Sequence, residues 1–282
     1  MERLTQLVTE TKIPVGREAE RVFDWLTIHA STFFDGLASI LQGMIDTILW
    51  VLEAPDPLIA IAVIAIIAQL LQRHWPTTLG IIAGFLFIIN QGYWDETMES
   101  LTLVLSSCFA CMAIGVPTGI ALAHRPRLYG WVRPLLDLMQ TLPTFVYLIP
   151  AIVFFGIGMV PGLFATVIFV LPAPIRLTQL GIASTPGTLR ESATAFGATP
   201  RQLLWKVELP SALPQIMEGL TQTIMLSLSM VVISALVGAD GLGKPVVRAL
   251  NTVDTGLGFE SGLVIVVMAI MLDRLLRIRK QS

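Results

Sequence analysis

The sequence predicts an all-α protein, a polytopic transmembrane helical bundle of about eight spans with a helical loop on its cytoplasmic side. Three observations predict it. Hydrophobic residues make up 54% of the 282 and charged residues only 13%, and the mean hydropathy is +0.76, whereas an ordinary soluble domain is about 25% charged. Apolar stretches near the roughly 20 residues needed to cross a bilayer recur along the chain. Positive charges, finally, collect in alternate connections between those stretches.

Taken in order, the expected spans run from Phe33 to Leu52, Pro57 to Gln72, Thr77 to Gln91, Ser100 to Ala123, Pro134 to Gly156, Pro161 to Leu177, Pro214 to Val237 and Phe259 to Leu276. The second and third are short enough to form one tight hairpin. Before the first lies a tail, 1–30, that mixes Arg3, Lys12, Arg17 and Arg21 with Glu2, Glu10, Glu18, Glu20 and Asp24. It lacks the basic start, apolar middle and small-residue cleavage site of a secretory signal, so it is expected to stay on the mature chain.

Lys and Arg in short loops are retained in the cytosol. With the amino terminus inside, eight spans return the carboxyl terminus inside, and of the 18 Lys and Arg only Lys244 and Arg248 fall outside. The outer connections then carry Glu53, Asp56, Asp95, Glu96, Glu99, Asp240, Asp254 and Glu260. The inverted threading reverses the bias and is rejected. A formal net charge of -2 with no long basic run leaves no footprint for a nucleic-acid backbone.

Prolines at apolar depth, Pro117, Pro143, Pro150, Pro172 and Pro174, each remove a backbone donor and can kink a helix, which suits a cavity-lining bundle. Membrane helices are also richer in proline generally. Cys108 and Cys111 have C-x-x-C spacing, but they sit in an apolar span and the three histidines share no ligand spacing with them. Packing is the simpler reading. Asp137 follows Arg133 by four residues and is expected to pair with it along one helix face.

Between the sixth and seventh spans the hydrophilic stretch 184–211 reads STPGTLRESATAFGATPRQLLWKVELPS. Thr188 and Glu191 have the spacing of a capping box. Phe196 and Gly197 form a helix stop, and Thr199 and Pro200 form a second start. A second helix is expected over Arg201 to Val207, ended by Leu209 and Pro210. The expectation is helix, tight turn, helix.

This stretch resembles the cytoplasmic signature loop of permeases of bacterial ATP-binding-cassette importers, whose pattern is E-A-A, three residues, G, nine residues, I, one residue, L-P. Here it stands as Glu191, Ser192, Ala193, Gly197, Val207, Leu209 and Pro210, with Ser192 in place of Ala and Val207 in place of Ile. The resemblance implies a coupling helix that docks in a groove on an ATPase subunit. Glu191, Ala193 and Gly197 would shape that contact, and Leu209 and Pro210 would return the chain to the membrane. It also implies a division into tail (1–30), peripheral spans (31–92) and permease domain (93–282).

Two further stretches, Gln140 to Pro150 and Val237 to Gly243, resemble the quaternary-amine branch of these permeases, which imports glycine betaine, proline betaine or choline. The length and amino-terminal part look closest to choline permeases of Gram-negative bacteria. By the same resemblance the partners are ATPase subunits that bind ATP and magnesium, a periplasmic substrate-binding protein and a second permease copy, most simply as a homodimer, in the inner membrane. No cofactor or metal belongs to this chain.

Gly238 to Pro245 nearly matches a phosphate-binding loop, but Pro245 stands where the magnesium-binding hydroxyl is needed and the stretch follows a span rather than a strand. A tight turn is expected there. A quaternary ammonium is held by aromatic faces, so Phe145, Tyr147, Phe154 and Phe155 are candidates for lining a path, against the plainer reading that they pack. Two rival classes fit less well. An ion-coupled transporter would show paired inverted repeats, and a membrane enzyme a nucleophile and base at workable spacing; the sequence shows neither.

Overall fold

The computed structural model describes residues 14–276, all in helices and short connections. Arg3, Lys12, Arg277, Arg279 and Lys280, which entered the charge argument, lie outside the described residues. The helices are α1 (Val15–His29), α2 (Ser31–Glu53), α3 (Pro57–Gln72), α4 (Trp75–Gln91), α5 (Trp94–Ala123), α6 (Pro126–Thr141), α7 (Leu148–Phe155, entered through a 3-10 turn at Thr144–Tyr147) and α8 (Met159–Val170). They continue as α9 (Pro172–Ala183), α10 (Gly187–Ala195), α11 (Pro200–Leu203), α12 (Leu209–Ala235), α13 (Gly243–Thr252) and α14 (Thr255–Leu276).

Local chemistry explains most boundaries. At α3 the Asp56 carboxylate accepts from the Leu58 amide at 3.0 Å and Pro57 takes the first turn, where its missing donor costs nothing. Gly92 ends α4 at φ +76. Asp95 and Glu96 occupy the first turn of α5, at the positive end of its dipole.

Five stretches are long and apolar enough to cross a membrane alone: α2, α5, α8 with α9, α11 through α12, and α14. The other three expected spans depart from that form. The fifth is not one rod, because α6 and the 144–155 stretch meet at 103°. Pro143 disfavours helical backbone at Leu142, which is extended at ψ 137. The second and third are α3 and α4, apolar helices of 16 and 17 residues that pack on each other. Val15–His29, within the expected tail, form α1, and α13, between the last two spans, was not expected as a helix.

The centre of the bundle is α5, α9 and α12, with α8 against α12. Lipid is as apolar as leucine, so helices in it associate through close packing and hydrogen bonds rather than through exclusion of water. The contacts match that rule. A Cβ on Gly119 of α5 would stand 2.6 Å from the Thr178 Cβ and 2.7 Å from the Ile175 carbonyl oxygen of α9, so these two backbones touch only because the side chain is absent. Ser107 donates to Ser227 at 2.7 Å across α5 and α12. Cys108 and Cys111 are buried thiols in α5. Outward-facing residues such as Trp50, Leu58, Leu70 and Ile149 are more than half exposed, forming a surface for lipid rather than water.

Candidate functional site

The loop between α9 and α12 emerges as two short helices, with two expected features present and two corrected. The stop at Gly197 is as expected. Its φ is +80, the Gly197 amide donates to the Thr194 carbonyl at 2.9 Å, and the Ala198 amide donates to that of Ala193 at 3.0 Å. These two bonds make a Schellman motif, which satisfies carbonyls the helix end would leave bare. Ala193 and Gly197 are thus the two ends of one locked turn. Thr199 caps α11 as expected, with a reciprocal bond from its own amide to Gln202 Oε1 at 2.9 Å.

The capping box at Thr188 and Glu191 is absent. The helix starts at Gly187, behind an extended Pro186, which puts Thr188 inside the first turn instead of at the cap. Nor do Leu209 and Pro210 end a helix. The chain runs from α11 through a π turn at Leu204–Glu208 directly into α12. The Leu209 amide reaches back five residues to the Leu204 carbonyl, and the wider turn lets Pro210 sit in the first turn of α12 without breaking it. Val207 and Leu209 are half-buried at this junction, while Glu191 and Ser192 face outward.

Three apolar side chains on the loop are exposed, Leu189 at 49%, Trp205 at 63% and Phe196 at 93%. In the sequence pattern Phe196 stands only as a helix end. What could have marked it is an aromatic residue in a stretch that is otherwise small and polar. Exposed apolar side chains on short helices of this kind suit contact with another protein.

Beneath the loop lies Glu208, with its side chain only 3% exposed. One carboxylate oxygen is 2.8 Å from His124 Nε2, at the end of α5, and the other is 3.4 Å from Arg190 Nε on α10. Arg190 also donates from Nη2 to the Ile182 carbonyl at the end of α9. Glu208 occupies the unspecified position of the loop pattern, between Val207 and Leu209, so the pattern could not single it out.

Asp137 is paired otherwise than expected. Its partner is Arg176 of α9, at 2.6 Å, rather than Arg133, because α6 packs against α9 and brings the guanidinium across.

At the opposite end of α5 a cavity of about 670 Å³ is lined by Tyr93, Asp95, Glu96, Glu99, Asp240, Lys244 and Arg248. The glycine-rich stretch forms the expected turn there, with Gly238 at φ +85 and Gly241 at φ +115. The Leu242 amide donates to Ser100 Oγ at 2.8 Å. Asp240 takes a hydrogen bond from Lys244, and this holds the ammonium pKa above its ordinary value. Burial raises the Tyr93 phenol.

The four candidate aromatics do not converge on one path. Phe154 stacks on Phe34 at 4.1 Å between ring centroids and meets Phe23 edge-on, while Phe155 leans on Phe164 at 4.8 Å. Tyr147 is buried, with its hydroxyl on the Met139 carbonyl at 2.8 Å. Phe145 alone of the four is largely exposed, at 57%.

Comparison with known proteins places this architecture. The family model described as binding-protein-dependent transport system inner membrane component matches residues 115–278. The chain is 44% identical over 278 residues to the glycine betaine transport system permease protein OpuAB of Bacillus subtilis, covering 96% of this chain and 97% of that one. It is 43% identical to the glycine betaine/carnitine transport permease protein GbuB of Listeria monocytogenes, over 93% and 94% of the two chains. With the glycine betaine/proline betaine permease protein ProW of Escherichia coli it shares 44% identity over 94% of this chain and 75% of that one. Among solved structures, inward-facing MetNI, a methionine ABC transporter, aligns with a TM-score of 0.55 and 26% identity over 62% of this chain and 89% of its own.

Proposed function

The chain belongs to the binding-protein-dependent transport system inner membrane components, and from that premise we propose that it carries glycine betaine or a closely related quaternary amine across the membrane by alternating access. As a member of the family it is a multi-pass inner-membrane permease subunit that works with a separate ATPase and a substrate-binding protein. It is not itself the ATPase. ATP and magnesium are assigned to the partner, and both termini to the cytosol. The relatives quoted above carry glycine betaine in their printed names, which moves the substrate assignment from choline toward glycine betaine.

The observation that carries the coupling reading is the loop: a locked helix, turn and helix that exposes Leu189, Phe196 and Trp205. These three, with Glu191, Ser192, Ala193 and Gly197, form the face offered to the ATPase, and Val207, Leu209 and Pro210 join it to α12. One such loop per chain makes half a transporter, so two copies enclose the path in a homodimer. The acidic cavity at the far end of α5 faces the delivered amine. Of the aromatic candidates, Phe145 is assigned to the path on the strength of its exposure, and Phe154 and Phe155 to packing.

ATP-dependent uptake of labelled glycine betaine and labelled choline, measured in vesicles holding this chain with its ATPase and binding protein, tests the reading. Glycine betaine is expected to accumulate, and Gly197→Arg to abolish that accumulation while the chain still inserts. Hydrolysis of ATP with neither solute moved would remove the quaternary-amine assignment. Unchanged uptake by Gly197→Arg would remove the coupling role of the loop.

A further inference from the structure

We propose that Glu208 is a positioning residue for transport, the joint through which movement of α10 reaches the end of α5. The inference rests on the reading of the loop as the ATPase-docking element. A docked partner can push on α10, but α10 buries none of its own side chains in the bundle, so the push must enter through a few defined contacts. Arg190 is one of them. It leaves α10 and is held between the buried Glu208 carboxylate at 3.4 Å and the α9 carbonyl of Ile182.

The second oxygen of the same carboxylate is 2.8 Å from His124 Nε2. His124 is the C-cap of α5, and its Nδ1 lies 3.0 Å from the Ile120 carbonyl, which fixes the ring against its own helix. Both ring nitrogens thus face oxygens that accept, and both contacts are hydrogen bonds when the ring carries two protons. One carboxylate therefore joins the loop, the root of α12 and the tip of α5. It stands on the π turn, a local irregularity of the kind often kept at functional positions.

From that tip, α5 runs 30 residues, about 45 Å at helical rise, to the acidic cavity. There Ser100 holds the backbone of the glycine turn through Leu242. A rigid helix tied at both ends is a direct route from docking face to far mouth. A buried carboxylate held by the Arg190 guanidinium and the His124 ring ties its neighbours together, because losing the guanidinium leaves its charge uncompensated.

The test uses the complete complex in vesicles, measuring solute taken up per ATP hydrolysed together with co-purification of the ATPase. Glu208→Gln keeps the shape of the side chain but removes its charge. Uptake per ATP is expected to fall about tenfold while the ATPase stays bound and hydrolysing. Arg190→Ala should lower the ratio as well, and the double variant should be no worse than the poorer single, since both act through one joint.

An unchanged ratio in Glu208→Gln, or parallel loss of uptake and hydrolysis, would overturn the inference, the latter pointing to a purely structural carboxylate. If Glu208→Gln does not accumulate in the membrane, His124→Gln carries the same test with the same two outcomes, its side chain being 48% exposed. Failure of the docking reading appears separately, as a Phe196→Asp chain that retains the ATPase as well as the parent does.

Discussion

The two ends of α5 are built on opposite principles. At the loop end, apolar side chains stand exposed on short helices, and one buried carboxylate gathers the basic groups around it. At the other end the carboxylates themselves line an open cavity of about 670 Å³, and the backbone is shaped by glycines. The first arrangement suits a solid partner whose surface would cover Phe196. The second suits a hydrated mouth, where charges remain solvated and side chains need not interlock. The contrast matches the proposed roles of the two ends, docking at one and solute entry at the other.

The largest expected effect breaks the open end. Gly241 has φ +115, and a Cβ there would meet Ser100 Oγ at 2.5 Å, so Gly241→Val combines backbone strain with overpacking. A loss of about 3 kcal/mol is expected, seen as a lower melting temperature of the purified protein. Parent-like melting would show that the turn relaxes freely. Next, at the loop end, Phe196→Asp should weaken ATPase association about thirtyfold, the scale of a central docking residue, with the melting temperature unchanged. Equal co-purification would refute the docking role.

Thr199→Ala should cost about 1 kcal/mol through loss of the cap. Faster amide exchange confined to α11 and the π turn would confirm it, whereas exchange spreading into α5 would show that the two ends are less separate than described. The smallest effect is at the cavity. Lys244 is half exposed, so removing its link to Asp240 by Lys244→Met should change stability by less than about 1 kcal/mol. Because the folded state raises the lysine pKa, the small contribution is present at neutral pH and is lost only as pH rises through that raised value. A stability difference between parent and variant that persisted undiminished well above that raised value would contradict this sign.

Much of this contrast was legible in the residues, and the failures are informative. Gly197, Thr199 and Pro200 announced a turn and a cap because those signals act within four residues of chain. The near-miss phosphate motif at Gly238 was resolved as a turn for the same reason. Thr188 misled, since a capping box needs the hydroxyl at the boundary and Pro186 moved the boundary upstream. Asp137 misled because Arg133 was four residues away, while Arg176 came from another helix. Phe154 and Phe155 had suggested a path, but their partners Phe34 and Phe164 belong to other helices, and a count of aromatic residues says nothing about which neighbours they meet.

Taken alone, the residues determined the solvent, the helical class, the positions of the apolar stretches, and the place of the loop between α9 and α12 with its turn at Gly197. Each of these follows from transfer energies and short-range backbone preferences, which the local sequence carries in full. Tertiary structure decided the 103° bend between α6 and the stretch after it, the backbone contact of α5 with α9 at Gly119, and the meeting of His124, Glu208 and Arg190. Those depend on which surfaces pack together, and 84 residues separate His124 from Glu208 along the chain. Only the packing of α5 beside the root of α12 brings them within hydrogen-bond reach.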